Sequence, residues 1–177
     1  GVEVVTLPAP MKLHKDKLKN FFQQVHTQAH SNTGMHVHIE RSKLSEYQVG
    51  FILEFLNSEH LYPKLEKIAG RDFKSNHYCR QKPDMKMTWG LSYDKKLIRA
   101  GTDKYSTLNT SKGKTIEVRI FSSPESHLEC SAKLEFIEGL VAFSSPYSVH
   151  VKSLKDKFQW NTFEAFMTAN KKHYPSF

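Results

Sequence analysis

Two stretches of the chain alternate apolar with polar residues, and much of the remainder repeats its apolar residues three and four positions apart. The alternating stretches, Gly34–Glu40 and Lys114–Phe121, predict strands, because side chains two apart on a strand point the same way. A shorter strand at Tyr105–Leu108 joins the second through Ser111-Lys112-Gly113 as a hairpin. Val2–Thr6 predicts one more short strand, stopped by Pro8 and Pro10. Leu18, Phe21, Phe22, Val25 and Ala29 predict an amphipathic helix over about 13–30, closed by Ser31-Asn32-Thr33-Gly34. Leu44, Tyr47, Phe51, Ile52, Phe55 and Leu56 predict a second helix, with Ser42 as its N-cap. Ser126 with Glu129, and Asn161 with Glu164, have capping-box spacing. The first pair precedes an apolar stripe at Cys130, Leu134, Ile137, Leu140 and Val141. The second brackets Phe163, Phe166 and Met167, with Pro175 beyond. Gly70–Thr102 is polar and irregular, and basic at Arg71, Lys74, Arg80, Lys82, Lys86, Lys95, Lys96 and Arg99. Long loops of that kind are usually functional or mobile.

These elements predict an α+β domain: a mainly antiparallel sheet with helices packed on one face. Its other face would carry Glu3, His36, His38, Glu117 and Arg119. At 177 residues the chain fits one domain with enough length to bury a core. No apolar run approaches the roughly 20 residues that span a bilayer, so no membrane partner is expected. The opening Gly1-Val2-Glu3-Val4-Val5 lacks a basic segment and a long apolar core, so no signal peptide is expected there. It also lacks Met and begins inside a strand pattern, which reads as a fragment or a processed chain. Cys79 and Cys130 are too few for a disulfide framework, and a reducing compartment, the cytoplasm, follows as the default. The net charge of +8 favours anionic partners such as nucleotides or phosphates. No block of five consecutive Lys and Arg occurs, so the charge also reads as plain solubility.

The candidate chemistry lies on the two alternating strands. Glu117 and Arg119 share a strand face about 6.6 Å apart, while Ile116, Val118 and Ile120 face the other way. His36, His38 and Glu40 share a face in the same manner. Two strands presenting ligand-type residues predict one sheet surface that holds a metal and an anion. A surface ion pair of small energetic value is the plainer reading of Glu117 with Arg119.

With those residues in view, the chain resembles the phage and bacterial amidoligases, carboxylate–amine ligases related to glutamine synthetase and glutamate–cysteine ligase. Gly1–Pro8 is similar to their E-x-x-(S/T)-x-P strand, and Thr33–Ile39 to their G-x-H-x-H strand. Tyr105–Asn109 followed by Thr115–Phe121 resembles their L-N … T-I-E-x-R-x-F hairpin. Arg71, after Ala69-Gly70, stands where the family often has a basic residue, and Phe163 through Pro175 resembles its terminal helix. The family's N-terminal acid-x-acid strand has no counterpart before Glu3. On this resemblance the chain is the C-terminal portion of a larger amidoligase-like domain, or takes the strand from a separate polypeptide, or has lost catalysis.

The resemblance implies a glutamine synthetase-like fold with a curved sheet, in a host's cytoplasm if the chain is phage-encoded. It implies ATP and Mg2+ or Mn2+ as cofactors, with a carboxylate and an amine as substrates. ATP converts the carboxylate to an acyl phosphate, and the amine then displaces phosphate. Glu117, Arg119 and His36 are the implied catalytic residues; Arg71, Lys104, Asn109 and Arg119 would bind the nucleotide. Glu3, His36, His38 and Glu117 would hold metal, the carboxylates suiting magnesium and the imidazoles manganese or zinc. Three roles fit His36 and His38: metal ligand, hydrogen-bond donor to a phosphoryl oxygen, or packing. Arg119 suits a bidentate contact to a phosphoryl group or carboxylate.

Two other functions fit parts of the sequence. His36-Val37-His38 is also the His-hydrophobic-His pattern of HUH single-strand nucleases, with Tyr47, Tyr62 or Tyr78 as nucleophile. A non-catalytic module that uses its basic surface on a protein or nucleic acid is the third reading.

Overall fold

The computed structural model describes residues 4–26, 33–73, 105–145 and 154–177. Helix α1, Met11–Gln24, starts behind Pro10 and stops where Val25 turns extended (φ −127°, ψ 122°), short of the expected 13–30. None of its residues is fully buried. It leans on the rest through Met11, Leu18 and Phe22 and a 2.8 Å ion pair from Lys15 to Glu135. The expected strand before it is absent over residues 4–6, which are irregular and exposed; its first two residues lie outside the described ones.

Strand β1, Gly34–Glu40, leads through a 3-10 turn at Arg41–Lys43 into α2, Glu46–Asn57. Ser42 sits in that turn, its hydroxyl donating to Glu40 Oε1 at 2.5 Å, so it is not the cap. Ser45 is the cap, in a reciprocal box with Gln48. Helix α3, Tyr62–Ala69, escaped the periodicity reading because it is only eight residues long. It ends at Gly70 in the left-handed region (φ 70°). A side chain there would be strained, and its Cβ would meet Ser122 Oγ at 2.6 Å.

Strands β2, Leu108–Asn109, and β3, Thr115–Ser122, complete an antiparallel sheet in the order β1-β3-β2. The register slips between Met35 and Val37, because Arg119 and Ile120 both lie across from His36. That bulge changes the phase of β3. Simple alternation would put Phe121 on the polar face with Arg119; instead it is fully buried against Phe136.

Helix α4, His127–Ser144, opens on Ser126, whose hydroxyl accepts from the Glu129 amide at 3.1 Å. Glu129 reaches back to the Glu125 amide instead, so only half of the expected box forms. A short helix α5, Leu154–Lys157, precedes α6, Trp160–Ala169. Gln159 stands at the N-cap of α6, and Asn161 falls inside its first turn, so the expected Asn161–Glu164 box does not occur.

The apolar side of the sheet, with Val37, Leu108, Ile116, Val118 and Phe121, joins α2, α4 and α6 in one core. Phenylalanines dominate it: Phe51, Phe55, Phe136, Phe143 and Phe163 are wholly buried. Their rings meet mostly edge to face, at centroid distances such as 5.4 Å for Phe55–Phe163 and 5.3 Å for Phe143–Phe163. Among the described residues no helix is long and apolar enough to cross a membrane.

Candidate functional site

The sheet register sets a row of side chains across all three strands. His38 on β1 lies opposite Glu117 on the central strand, and Glu117 lies opposite Asn109 on β2. His36 and Arg119 follow on the same face, two residues along each strand. The sequence pattern thus anticipated the grouping of His36, His38, Glu117 and Arg119. Glu3 and Lys104 lie outside the described residues.

Glu117 is the centre of the row, with 3% of its surface exposed. Its Oε1 accepts from Arg119 Nη1 at 2.5 Å and lies 3.2 Å from His36 Nδ1 and 3.9 Å from His38 Nε2. Its Oε2 accepts from Asn109 Nδ2 at 3.1 Å. Burial would raise the pKa of this carboxyl. Arg119, then His36 and His38, outweigh that effect and hold it below the ordinary carboxylate value. Glu117 is therefore a buried anion with compensating partners rather than half of a solvated surface pair.

The histidines are more open, with 37% and 45% of the side chains of His36 and His38 exposed. Partial burial lowers the pKa of His36, Arg119 adds to the effect, and Glu117 opposes it; His38 and Arg71 lower it further. His36 is thus neutral at pH 7. Its Nδ1 also lies 3.4 Å from Arg119 Nη1, and a proton on Nδ1 is best placed on the Glu117 side. Arg71 closes one end of the row, donating from Nη2 to the Thr33 carbonyl at 2.5 Å. Its guanidinium lies against Gly34, where a Cβ would come within 3.1 Å of both Nη2 and the Phe121 carbonyl oxygen.

Several residues that support the row were not among the candidate site residues. Ser111 fixes Asn109, its amide and hydroxyl donating to Oδ1 at 3.0 and 2.6 Å. A side-chain acceptor two residues ahead of a turn amide is a recognisable Asx-turn spacing. Thr115 Oγ1 lies 3.4 Å from His38 Nδ1. Thr107 is fully buried and donates to Asn57 Oδ1 at 3.1 Å, while its carbonyl accepts from the Arg119 amide. Nothing local in the sequence signals the link from Thr107 to Asn57, which joins residues 50 apart.

Among the described residues no three His, Cys, Asp or Glu side chains group as a metal site. The geometry gives the reason. The one buried carboxylate here carries a guanidinium on Oε1 and an amide on Oε2, and a hard cation such as magnesium needs several oxygens. What the row offers as it stands is hydrogen-bond donors for an anion: Arg119, Arg71 and the two imidazoles.

Of the three tyrosines named for a nuclease, two are described. Burial first, then Glu59 and Glu66, push the Tyr62 hydroxyl up to about 12, and it donates to the Asn57 carbonyl at 3.1 Å. Burial also raises Tyr47, and Tyr78 lies outside the described residues. No protein-family model, curated protein or solved structure matches this chain.

Proposed function

We propose that this chain is an ATP-dependent carboxylate–amine ligase of glutamine synthetase-like fold, with the Glu117 row holding the phosphoryl group as it moves. The observation that carries the reading is the buried Glu117 carboxylate fixing one edge of the Arg119 guanidinium at 2.5 Å. A pre-oriented fork grips two oxygens at once, which suits an acyl phosphate better than a swinging lysine does. In the reaction the substrate carboxylate attacks the terminal phosphorus of ATP and ADP leaves. The amine then adds to the acyl carbon, loses its proton and expels phosphate. Catalysis of that kind is positioning and charge stabilisation. Arg119 and Arg71 supply the charge, neutral His36 adds a hydrogen bond, and Asn109 keeps Glu117 in place. The described residues do not form a magnesium site, so no step is assigned to one; magnesium or manganese comes with the nucleotide's own phosphates. An ATP-rich, reducing compartment such as the cytoplasm is the setting this reading requires.

Titration calorimetry with ATP in magnesium buffer tests it. Binding is expected for the wild type and at least tenfold weaker for Glu117→Gln, which keeps the shape and removes the charge that orients Arg119. Arg119→Lys should lower turnover by orders of magnitude with little change in melting temperature. Equal binding by wild type and Glu117→Gln, or normal turnover by Arg119→Lys, overturns the assignment.

A further inference from the structure

We propose that the cavity between α3, α4 and α6 binds a small aromatic anion, a flat ring carrying one carboxylate, sulfonate or phosphate group. The cavity holds about 380 Å³ and takes no residue from the Glu117 row. A space of roughly 150 Å³ accepts a benzene ring, so this one has room for fused rings with a substituent. Its apolar wall is made of Ile68, Ala132, Trp160 and Phe177. The two aromatic members are held from behind. Trp160 packs against Phe55 and Phe163 at centroid distances of 6.5 and 5.5 Å. The Phe177 ring stacks on Phe136 at 6.1 Å, and its amide donates to Glu135 Oε2 at 3.0 Å. A wall already fixed in this way receives a rigid ring at little ordering cost, and the indole offers it a stacking surface.

The charged lining decides which kind of ring. Helix α3 brings Lys64, Lys67 and Ile68 to the cavity together, because residues three and four apart share a side of a helix. Both of these lysines are exposed. Lys133 on α4 also lines the cavity, but it is buried and already committed. Its ammonium donates to Glu129 Oε1 at 2.5 Å and to the carbonyl and hydroxyl oxygens of Ser122, each at 3.0 Å. Those bonds use all three of its N–H groups, and Glu129 balances its charge. Two lysines then face one further carboxylate, Glu164, so the lining favours an anion. Trp160 gives a second, independent sign. Its indole N–H is shut off from water and has no acceptor among the described residues. A buried donor left unpaired is costly, and such exceptions ask for a reason. A ligand with acceptor oxygens beside the ring would bring what that donor lacks.

Titration calorimetry of the full chain with naphthalene-2-sulfonate tests the proposal without nucleotide or metal, so its outcome is separate from that of the ligase reading. One saturable site is expected. The cation 2-naphthylmethylamine, similar in shape and opposite in charge, should bind roughly tenfold more weakly or worse. Lys64→Gln and Lys67→Gln combined in one chain should weaken the sulfonate by roughly tenfold. Both positions are exposed, so the melting temperature of that variant should stay at the wild-type value. Ala132→Phe, which fills the cavity from a partly exposed position on α4, should abolish binding. A second measurement places the ligand in the unaltered fold. In a nitrogen-15-labelled chain the Trp160 indole signal, identified by its loss in Trp160→Phe, should shift as the sulfonate is added. Arg119→Lys should bind the sulfonate as the wild type does. Absence of saturable binding, equal binding of sulfonate and amine, or a Trp160 signal that stays put overturns the proposal. So does sulfonate binding that survives the lysine pair unchanged or is lost in Arg119→Lys, since the probe would then sit on the sheet row.

Discussion

Glu117 on the sheet and Glu54 on α2 are carboxylates kept from water, and their surroundings treat the charge in opposite ways. Glu117 is met by Arg119, His36, His38 and Asn109, and its pKa stays below the ordinary value. Glu54 has an Oε2 that is shut off from solvent and makes no hydrogen bond among the described residues; burial pushes its carboxyl up to about 7. Lys157 repeats the second pattern. Its ammonium donates to the Ser145 carbonyl at the end of α4 and lies 5.3 and 5.4 Å from the rings of Phe51 and Phe143, and burial pulls its pKa down to about 8. The polar row gathers compensated charge, whereas the aromatic packing around α2 leaves Glu54 and Lys157 without a counter-ion among the described residues, at a cost. The row is thus organised around charge, and the helices around packing.

The largest effect should come from breaking the helical side. Phe51→Ala removes a ring in contact with Phe55, Phe143 and Phe158, at centroid distances of 6.0, 5.7 and 4.5 Å. Urea unfolding should show a loss of about 3–5 kcal/mol. Arg119→Lys, by contrast, should move stability by less than about 1 kcal/mol. A reversal of that order would dissolve the division between the regions.

Next in size is the pH dependence carried by Lys157. Its folded pKa of about 8 lies below its ordinary 10.5, so between those values the unfolded chain binds the extra proton. Stability then rises with pH through that window as the buried charge is relieved. Relative to Lys157→Met, the wild type should gain on the order of 1–3 kcal/mol between pH 8 and 10.5, read from melting curves in parallel. Parallel curves across the window would show that the ammonium is well compensated after all.

The smallest effect sharpens the contrast between the two carboxylates. The raised pKa of Glu54 means that stability is lost as pH climbs from 4.5 through about 7. The lowered pKa of Glu117 means that its contribution is present above 4.5 and is lost as pH falls through the folded value. At pH 8, Glu54→Gln should therefore stabilise and Glu117→Gln destabilise, each by about 1 kcal/mol. In acid both should approach the wild type. Shifts of the same sign at pH 8 would contradict the comparison.

Much of this architecture is local and can be read residue by residue. The period-two pattern of Gly34–Glu40 and Thr115–Ser122 marked both long strands and put His36, His38, Glu117 and Arg119 on shared faces, because a pleat alternates whatever surrounds it. The stripe from Cys130 to Leu140 marked the buried face of α4 for the same kind of reason. Caps were less legible: Ser42 and Ser45 are alike as residues, and the choice fell to Ser45 because Gln48 completes its box.

What only the tertiary structure decided involves partners distant in the chain. Val4–Thr6 has the composition of a strand but pairs with no strand among the described residues, and a strand forms only where a ladder partner lies alongside. The bulge opposite His36 sends Phe121 into the core, a result of pairing two strands more than 70 residues apart. The burial of Glu135, which accepts from Lys15 at 2.8 Å and from the amides of Ser176 and Phe177 at 2.6 and 3.0 Å, depends on both ends of the chain meeting one helix. Periodicity reports which way a side chain points from its own backbone. Whether a charge there meets water, a counter-ion or a ring depends on what the remainder of the chain brings alongside, and that is settled only when the elements pack.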